Sequence, residues 1–188
     1  MEVKKLTDLK QIEHIYSTSM QLDFPGNEIK PLIAIEKALQ NGIYECYGLY
    51  RDRTMLGYAF FVTSGKNYLL DYFAICQAYR NKGFGSVFLN RLSAIMSEAD
   101  CIICEVDDPE KESSDDVKDL CERRLQFYLS NGFRKTDVTS SVFGASFQIL
   151  IHSKNLRLSA GKIAEIYSLL YKSVLPEFFF KTCFSVFS

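Results

Sequence analysis

Histidine is nearly missing from this sequence, with only His14 and His152 present. A His-based metal site or a Ser-His-Asp triad therefore has almost no raw material, and no metal is expected. An excess of either charge is missing too: 22 Lys and Arg stand against 23 Asp and Glu, a formal net charge of -1. No global field draws such a chain to nucleic acid or an anionic membrane, so any charged partner must be read by a local patch. No stretch reaches the ~18 consecutive apolar residues of a membrane-spanning helix. Even the aromatic cluster Phe178, Phe179 and Phe180 is interrupted by Pro176, Glu177 and Lys181. The opening Met1-Glu2-Val3-Lys4-Lys5 lacks the apolar run and small-residue cleavage site of a secretory signal, so a cytoplasmic location is expected. Disulfides are not expected either. Cys46, Cys76, Cys101, Cys104, Cys121 and Cys183 lie mostly within apolar runs, as reduced, buried thiols do. Cys101-Ile102-Ile103-Cys104 has CxxC spacing, but residues three apart in a strand face opposite sides of a sheet, which argues against a zinc or redox site.

What is present is enough for one domain with a real core: 188 residues, 47% of them hydrophobic, with no internal repeat and no dividing linker. After a short strand, Thr7 can cap a helix on which Ile12, Ile15, Tyr16 and Met20 recur at helical spacing. Phe24-Pro25-Gly26-Asn27 breaks the chain, and a second helix starts near Pro31 and ends at Asn41-Gly42. Three β-rich runs follow, 43–50, 54–62 and 67–76, joined by short turns that imply an antiparallel meander. The third is apolar on both faces except for Asp71, as a central strand should be. Phe84, Phe88, Leu92 and Ile95 mark an amphipathic helix, and 101–106 another buried strand, completing a βαβ crossover. The segment from Asp107 to Asp119 holds seven carboxylates and two lysines and reads as a solvated loop. A helix carrying Cys121, Leu125 and Tyr128 then stops at Asn131-Gly132. Strands near 133–139 and 146–152 and a helix from about Ser159 close the chain, with residues 155–188 read as a helical extension.

The chemistry is concentrated in Gln77-Ala78-Tyr79-Arg80-Asn81-Lys82-Gly83-Phe84-Gly85-Ser86, between a buried strand and a helix. Gly83 and Gly85 let the backbone approach a ligand, and free N–H groups at the helix start face an anion. Arg80 and Lys82 add positive charge, so the segment has the makings of a diphosphate cradle. A dinucleotide G-x-G-x-x-G turn would need glycine where Phe88 stands, and a nucleoside-triphosphate loop would need Ser or Thr after Gly-Lys. A plain strand-to-helix turn with solvated charges is the remaining alternative.

Arg80-Asn81-Lys82-Gly83-Phe84-Gly85 resembles the Gln/Arg-x-x-Gly-x-Gly/Ala pattern of the GNAT acetyltransferases. Further along, Tyr128-Leu129-Ser130-Asn131-Gly132-Phe133 resembles that family's Tyr-x-x-x-Gly-Phe. The resemblance implies an α/β (α+β) fold, a mixed, mostly antiparallel central sheet of six to seven strands flanked by helices and splayed between strands 4 and 5. It implies acetyl-CoA as donor and transfer to an amine. By the same resemblance the backbone of Phe73, Ala74 and Ile75 would pair with the pantetheine arm, Phe73 polarising the thioester carbonyl. Backbone of Arg80, Asn81, Lys82, Gly83, Phe84 and Gly85, with Ser86, would hold the diphosphate, and Tyr128 would protonate the departing thiolate. Cys121 and Arg124 depart from the Asn and Ala that many relatives carry before that tyrosine.

An attacking primary amine has a reference pKa near ~10.4 and must lose a proton. Asp71 and Glu105 are candidate bases because each is an acid in an otherwise apolar strand, where burial needs a reason. Asp23, Phe24 and Glu28, in the first interhelical loop, with strand residues near 143–147, are expected to meet the acceptor, a small-molecule or peptide amine. No histidine is near Cys76 or Cys121 in sequence to activate an acyl-cysteine route, so direct transfer in a ternary complex is expected. A non-catalytic acyl-CoA binding or sensing module is the alternative. The aromatic tail is expected to bury against the domain or across a homodimer.

Overall fold

The computed structural model describes residues 1–26, 28–111 and 114–188. Asn27 of the expected chain break, and Glu112 and Ser113 of the acidic segment, thus lie outside the described residues. The chain forms two compact units, residues 1–63 with 71–97, and 64–70 with 98–188.

In the first unit, β1 (Glu2–Leu6) leads to α1 (Leu9–Ile15), whose N-terminal cap is Asp8 rather than Thr7: the Asp8 carboxylate accepts the Lys10 N–H at 3.0 Å. A π-turn (Tyr16–Met20) and α2 (Gln21–Asp23) follow. Next comes α3 (Leu32–Gln40), preceded by Pro31 and stopped at Asn41-Gly42 as its sequence signals require. β2 (Tyr44–Arg51), β3 (Thr54–Ser64) and β4 (Asn67–Ile75) then form the meander. β1–β2 and β2–β3 are antiparallel, with Glu2 opposite Tyr50 and Tyr44 opposite Val62. β3 is buried over Leu56–Thr63, with Tyr58, Phe60 and Phe61 at its heart. The glycine turn feeds α4 (Phe84–Ile95), which buries Phe88, Leu89 and Leu92; the Phe88 ring packs 5.5 Å from that of Phe73.

In the second unit, the first residues of β4 pair in parallel with β5 (Cys101–Asp107), Asn67 opposite Cys101 and Leu70 opposite Cys104. That ladder ends at Leu70 and Cys104, although β4 continues to Ile75 and β5 to Asp107. This is where the resemblance expects strands four and five to part. α5 (Asp115–Ser130) starts inside the acidic segment, correcting the loop expected as far as Asp119. Asp115 and Asp116 occupy its first turn, where carboxylates stabilise the helix dipole. β6 (Arg134–Val142) and β7 (Ala145–His152) are antiparallel, and β7 also pairs with β5. α6 (Ala160–Val174) is capped by Ser159 and buries Ile163, Ile166, Tyr167, Leu170 and Tyr171.

The closing segment is helical only through α7 (Glu177–Cys183); β8 (Phe184–Phe187) then pairs with β6. Among the described residues the sheet therefore has eight strands, ordered β1-β2-β3-β4-β5-β7-β6-β8, where six to seven were expected. Four residues are too few for a two-residue period to declare itself in sequence. The tail aromatics fold onto this unit: Phe180 stacks on Phe184 at 5.0 Å, and Phe184 lies 4.8 Å from Tyr171. Phe178 and Phe187 stay exposed. Among the described residues no helix is long and apolar enough to cross a membrane.

Candidate functional site

The loop after β4 begins as a single 3-10 turn, Gln77–Tyr79, with Arg80 extended behind it. Two left-handed residues follow, Asn81 at φ 59° and Gly83 at φ 77°. Asparagine and glycine are the residues that reach this region at least cost, so the local sequence accounts for the loop's course. Gly83 caps α4, and the first helical bond is Val87 N–H to the Gly83 carbonyl at 3.2 Å. The amides of Phe84, Gly85 and Ser86 therefore have no acceptor within the helix. No acidic residue lies in that first turn, and a Cβ at Gly83 would meet nothing within 4 Å. Donors, open backbone and the absence of first-turn negative charge all suit an anion such as a diphosphate.

Three cations attend this loop, in unexpected ways. Lys82 donates to the Ala78 carbonyl at 2.8 Å and stands 5.8 Å from the Tyr79 ring centre. Arg80 turns back: Nε donates to the Ile75 carbonyl at 2.9 Å, and the guanidinium pairs with Asp23 Oδ1 at 2.5 Å. Arg51, at the end of β2, lies 4.8 Å over the Phe84 ring and is absent from the expected set. Its only sequence signal is membership of the Arg51-Asp52-Arg53 turn, so nothing local ties it to residue 84.

β3 presses closely on the end of β4. A Cβ on Gly57 would lie 2.6 Å from the Ala74 carbonyl oxygen and 2.7 Å from Ile75 Cδ1, and Cys76 N–H donates to the Leu56 carbonyl at 2.9 Å. Phe73, Ala74 and Ile75 thus sit on a strand end gripped on one side by β3 and tied through Arg80 to the loop.

Of the acceptor-side residues, Asp23 is not a solvated acid. Its side chain is 4% exposed and its second oxygen accepts the Tyr58 phenol at 2.9 Å. The Phe24 ring meets Tyr72 edge-on at 5.1 Å, and the Glu28 carbonyl accepts the Tyr72 phenol at 3.0 Å. Asp71 pairs with Lys30 at 2.5 Å and accepts a short hydrogen bond from Tyr44 on its other oxygen; its side chain is 3% exposed. Burial, and then the Asp71 charge, push the Tyr44 phenol well above its ordinary pKa. Lys30 also stands 5.4 Å from the Tyr72 ring centre, so α3's lead-in is stapled to β4 by charge and ring together.

In the second unit, Glu105 receives two phenols on Oε1: Tyr171 at 2.7 Å, and Tyr167 through a short bond. Tyr167 in turn shares a 2.9 Å bond with buried Ser140. The sequence signal for this pair is the four-residue spacing of Tyr167 and Tyr171, which sets both on one helix face. The Tyr128 ring packs edge-on against Phe127 and Phe133, at 5.2 and 5.5 Å, and its hydroxyl bonds to the Cys104 sulfur. Burial first, then Cys104, push the Tyr128 phenol well above its ordinary pKa, so it keeps its proton at neutral pH. The two residues that depart from the resemblance are structural here: Cys121 is buried, and Arg124 pairs with Asp107 at 2.8 Å. Phe143, another acceptor-side candidate region, packs 5.8 Å from Phe179 and is half-exposed.

Comparison with known proteins follows the same direction. The model of the family described as Acetyltransferase (GNAT) matches residues 9–128. No curated protein matches the chain. Among solved structures, a GNAT-family protein from Bacteroides thetaiotaomicron superposes with a TM-score of 0.73 at 20% identity, over 93% of this chain and 98% of that one. The ribosomal-protein-S18-alanine N-acetyltransferase from Escherichia coli gives 0.58 at 17% identity, over 84% and 99%. A GNAT acetyltransferase from Elizabethkingia anophelis with acetyl-CoA bound gives 0.57 at 13% identity, over 81% and 97%. At these identities the likeness is one of fold.

Proposed function

The chain belongs to the GNAT acetyltransferase family, and from that premise we propose that it transfers an acetyl group from acetyl-CoA to an amine by direct attack, acting as one domain over residues 1–188. The observation that carries this is the open, left-handed Asn81–Gly83 turn leading into an acid-free helix start. The backbone from Arg80 to Ser86 would hold the diphosphate, with Lys82 and Arg51 adding charge and the Arg80 amide itself spent on the Gln77 carbonyl at 3.3 Å. The strand end Phe73–Ile75 would pair with the pantetheine. When bound, acetyl-CoA supplies the activated acyl carbon.

Tyr128, held protonated, is proposed as the donor to the leaving thiolate. Asp71 and Glu105 are proposed to take the amine proton, directly or through water. Phe24 and Glu28 are proposed on the acceptor side. Burial raises the Cys76 thiol, which supports direct attack over an acyl-cysteine route. The acceptor is proposed as a small-molecule or peptide amine; the E. coli neighbour is named for an alanine of a ribosomal protein. Six free cysteines support a cytoplasmic, reducing location. The exposed Phe178 and Phe187 support a homodimer, which a single monomeric species in sedimentation at two concentrations would rule out.

One observation favours the alternative of an acyl-CoA sensor without turnover: both candidate bases are engaged, Asp71 by Lys30 and Tyr44, Glu105 by Tyr167 and Tyr171. Calorimetry with acetyl-CoA, followed by thiol release over a panel of amines, separates the two. Binding with turnover supports the enzyme, binding without turnover of any amine supports the sensor, and no binding removes both. Asp71→Asn and Glu105→Gln, each with a pH-rate profile, identify the base: the variant that loses the acidic limb carries it, and two unchanged profiles exclude both carboxylates.

A further inference from the structure

Asp23 carries the wrong charge for a neighbour of an anion loop. A carboxylate this close to a diphosphate repels it, and burying one is costly unless it is paired and hydrogen-bonded. Yet Asp23 is buried at the end of α2 with both oxygens engaged, one on the Arg80 guanidinium and one on the Tyr58 phenol. Desolvation, and then the Asp23 charge, raise the Tyr58 phenol far above its usual range, so it remains a donor to that carboxylate. The planar guanidinium uses two of its donors to join separate pieces of chain: Nε reaches the Ile75 carbonyl at the end of β4, and Nη2 reaches Asp23, 57 residues away in sequence. The strand end to which Arg80 is tied is also gripped by β3, through the Leu56 carbonyl and the missing Cβ of Gly57.

We propose that Asp23 is a positioning residue. With Tyr58 it locks Arg80 against Ile75, so that the amides from Asn81 to Ser86 are already set for a diphosphate before it arrives. The inference rests on the acetyl-CoA reading above. It assigns Asp23 to the donor side, and it makes the Arg80 side chain a strut rather than a phosphate ligand. The gain is one of preorganisation, since a loop fixed in advance loses less freedom on binding.

The sign of one substitution decides the matter. If Asp23 merely competes with phosphate for Arg80, Asp23→Asn removes a repelling charge and coenzyme A binds more tightly. If Asp23 positions Arg80, the same change frees the guanidinium, loosens the loop and weakens binding, by about tenfold for a coupled pair of which only the carboxylate is buried. Coenzyme A affinity is measured by calorimetry. Pantetheine, which lacks the diphosphate, is followed by saturation-transfer NMR because it binds weakly. The expected result is a tenfold loss for coenzyme A with pantetheine unchanged, and a loss of two- to threefold in the milder Tyr58→Phe, which serves if Asp23→Asn does not fold. Tighter or unchanged coenzyme A binding overturns the proposal, as does an equal loss for both ligands, which marks general damage. Failure of the unaltered protein to bind coenzyme A overturns the acetyl-CoA reading itself.

Discussion

Replacing Lys30 by methionine removes an ammonium from a carboxylate largely shielded from solvent. Asp71 has a side chain 3% exposed, and Lys30 Nζ lies 2.5 Å from its Oδ1 with 23% of the lysine side chain exposed. Removing one partner of a fully buried pair costs about 3–5 kcal/mol. Here the lysine is partly solvated, so water replaces some of what is lost, and Tyr44 still donates to Oδ2. Methionine keeps most of the lysine's apolar stem, which limits packing loss. The expected cost is therefore about 2–3 kcal/mol, below the range for a fully buried pair. For a chain of this size that corresponds to a fall in Tm of roughly 5–10 °C. Thermal and urea unfolding at neutral pH measure it. Adding Asp71→Asn then removes the stranded charge while keeping a group that can accept from Tyr44, so the double variant should recover at least half of the loss. A Lys30→Met protein within about 2 °C of the parent would show that the Asp71 charge does not depend on Lys30, as would a double variant whose losses simply add.

Tyr128→Phe should lower turnover by about a hundredfold, the scale of a lost general acid, while coenzyme A affinity measured by calorimetry stays within twofold; unaltered turnover removes the assigned role. Gly83→Trp should abolish measurable coenzyme A binding, because the side chain projects into open space beside the loop amides and the φ of 77° strains any L-residue; normal affinity contradicts the cradle. Burial pushes the Cys101 thiol up to about 11, from an ordinary value near 9. An acid whose folded pKa is raised contributes stability that is intact below its unfolded pKa and is lost as pH climbs through the unfolded and then the folded value. Cys101→Ala should therefore make the decline in Tm between about pH 9 and 11 shallower than in the parent; identical slopes refute that assignment.

The elements that define the fold were legible because they obey local rules. Pro31 before α3, Ser159 before α6, the Asn-Gly stops at 41–42 and 131–132, and the turns of the meander all act within a few residues. The loop at 80–86 was legible for the same reason, since its conformation depends on Asn81 and Gly83 themselves. Charge was misread where its sign alone was considered: Asp115 and Asp116 open α5 because a helix start favours carboxylates, though a run of acids suggests solvated coil. What sequence could not supply was pairing at a distance. Lys30 meets Asp71 across 41 residues, Arg80 meets Asp23 across 57, and Tyr167 meets Glu105 across 62. Asp71 and Glu105 stand out in sequence by their apolar context and Asp23 by its place in the first interhelical loop, but only the folded chain reveals which cation or phenol accounts for each.

The phenols that meet Glu105 both come from α6, beyond residue 128, where the stretch matched to the family stops. A fragment trimmed to that stretch would keep the acid and discard its escort, leaving a carboxylate wedged in a strand with neither donor. Chimeras that exchange the final third of the chain would thus act at a distance, altering the company of an inherited acid without touching a residue of the shared scaffold.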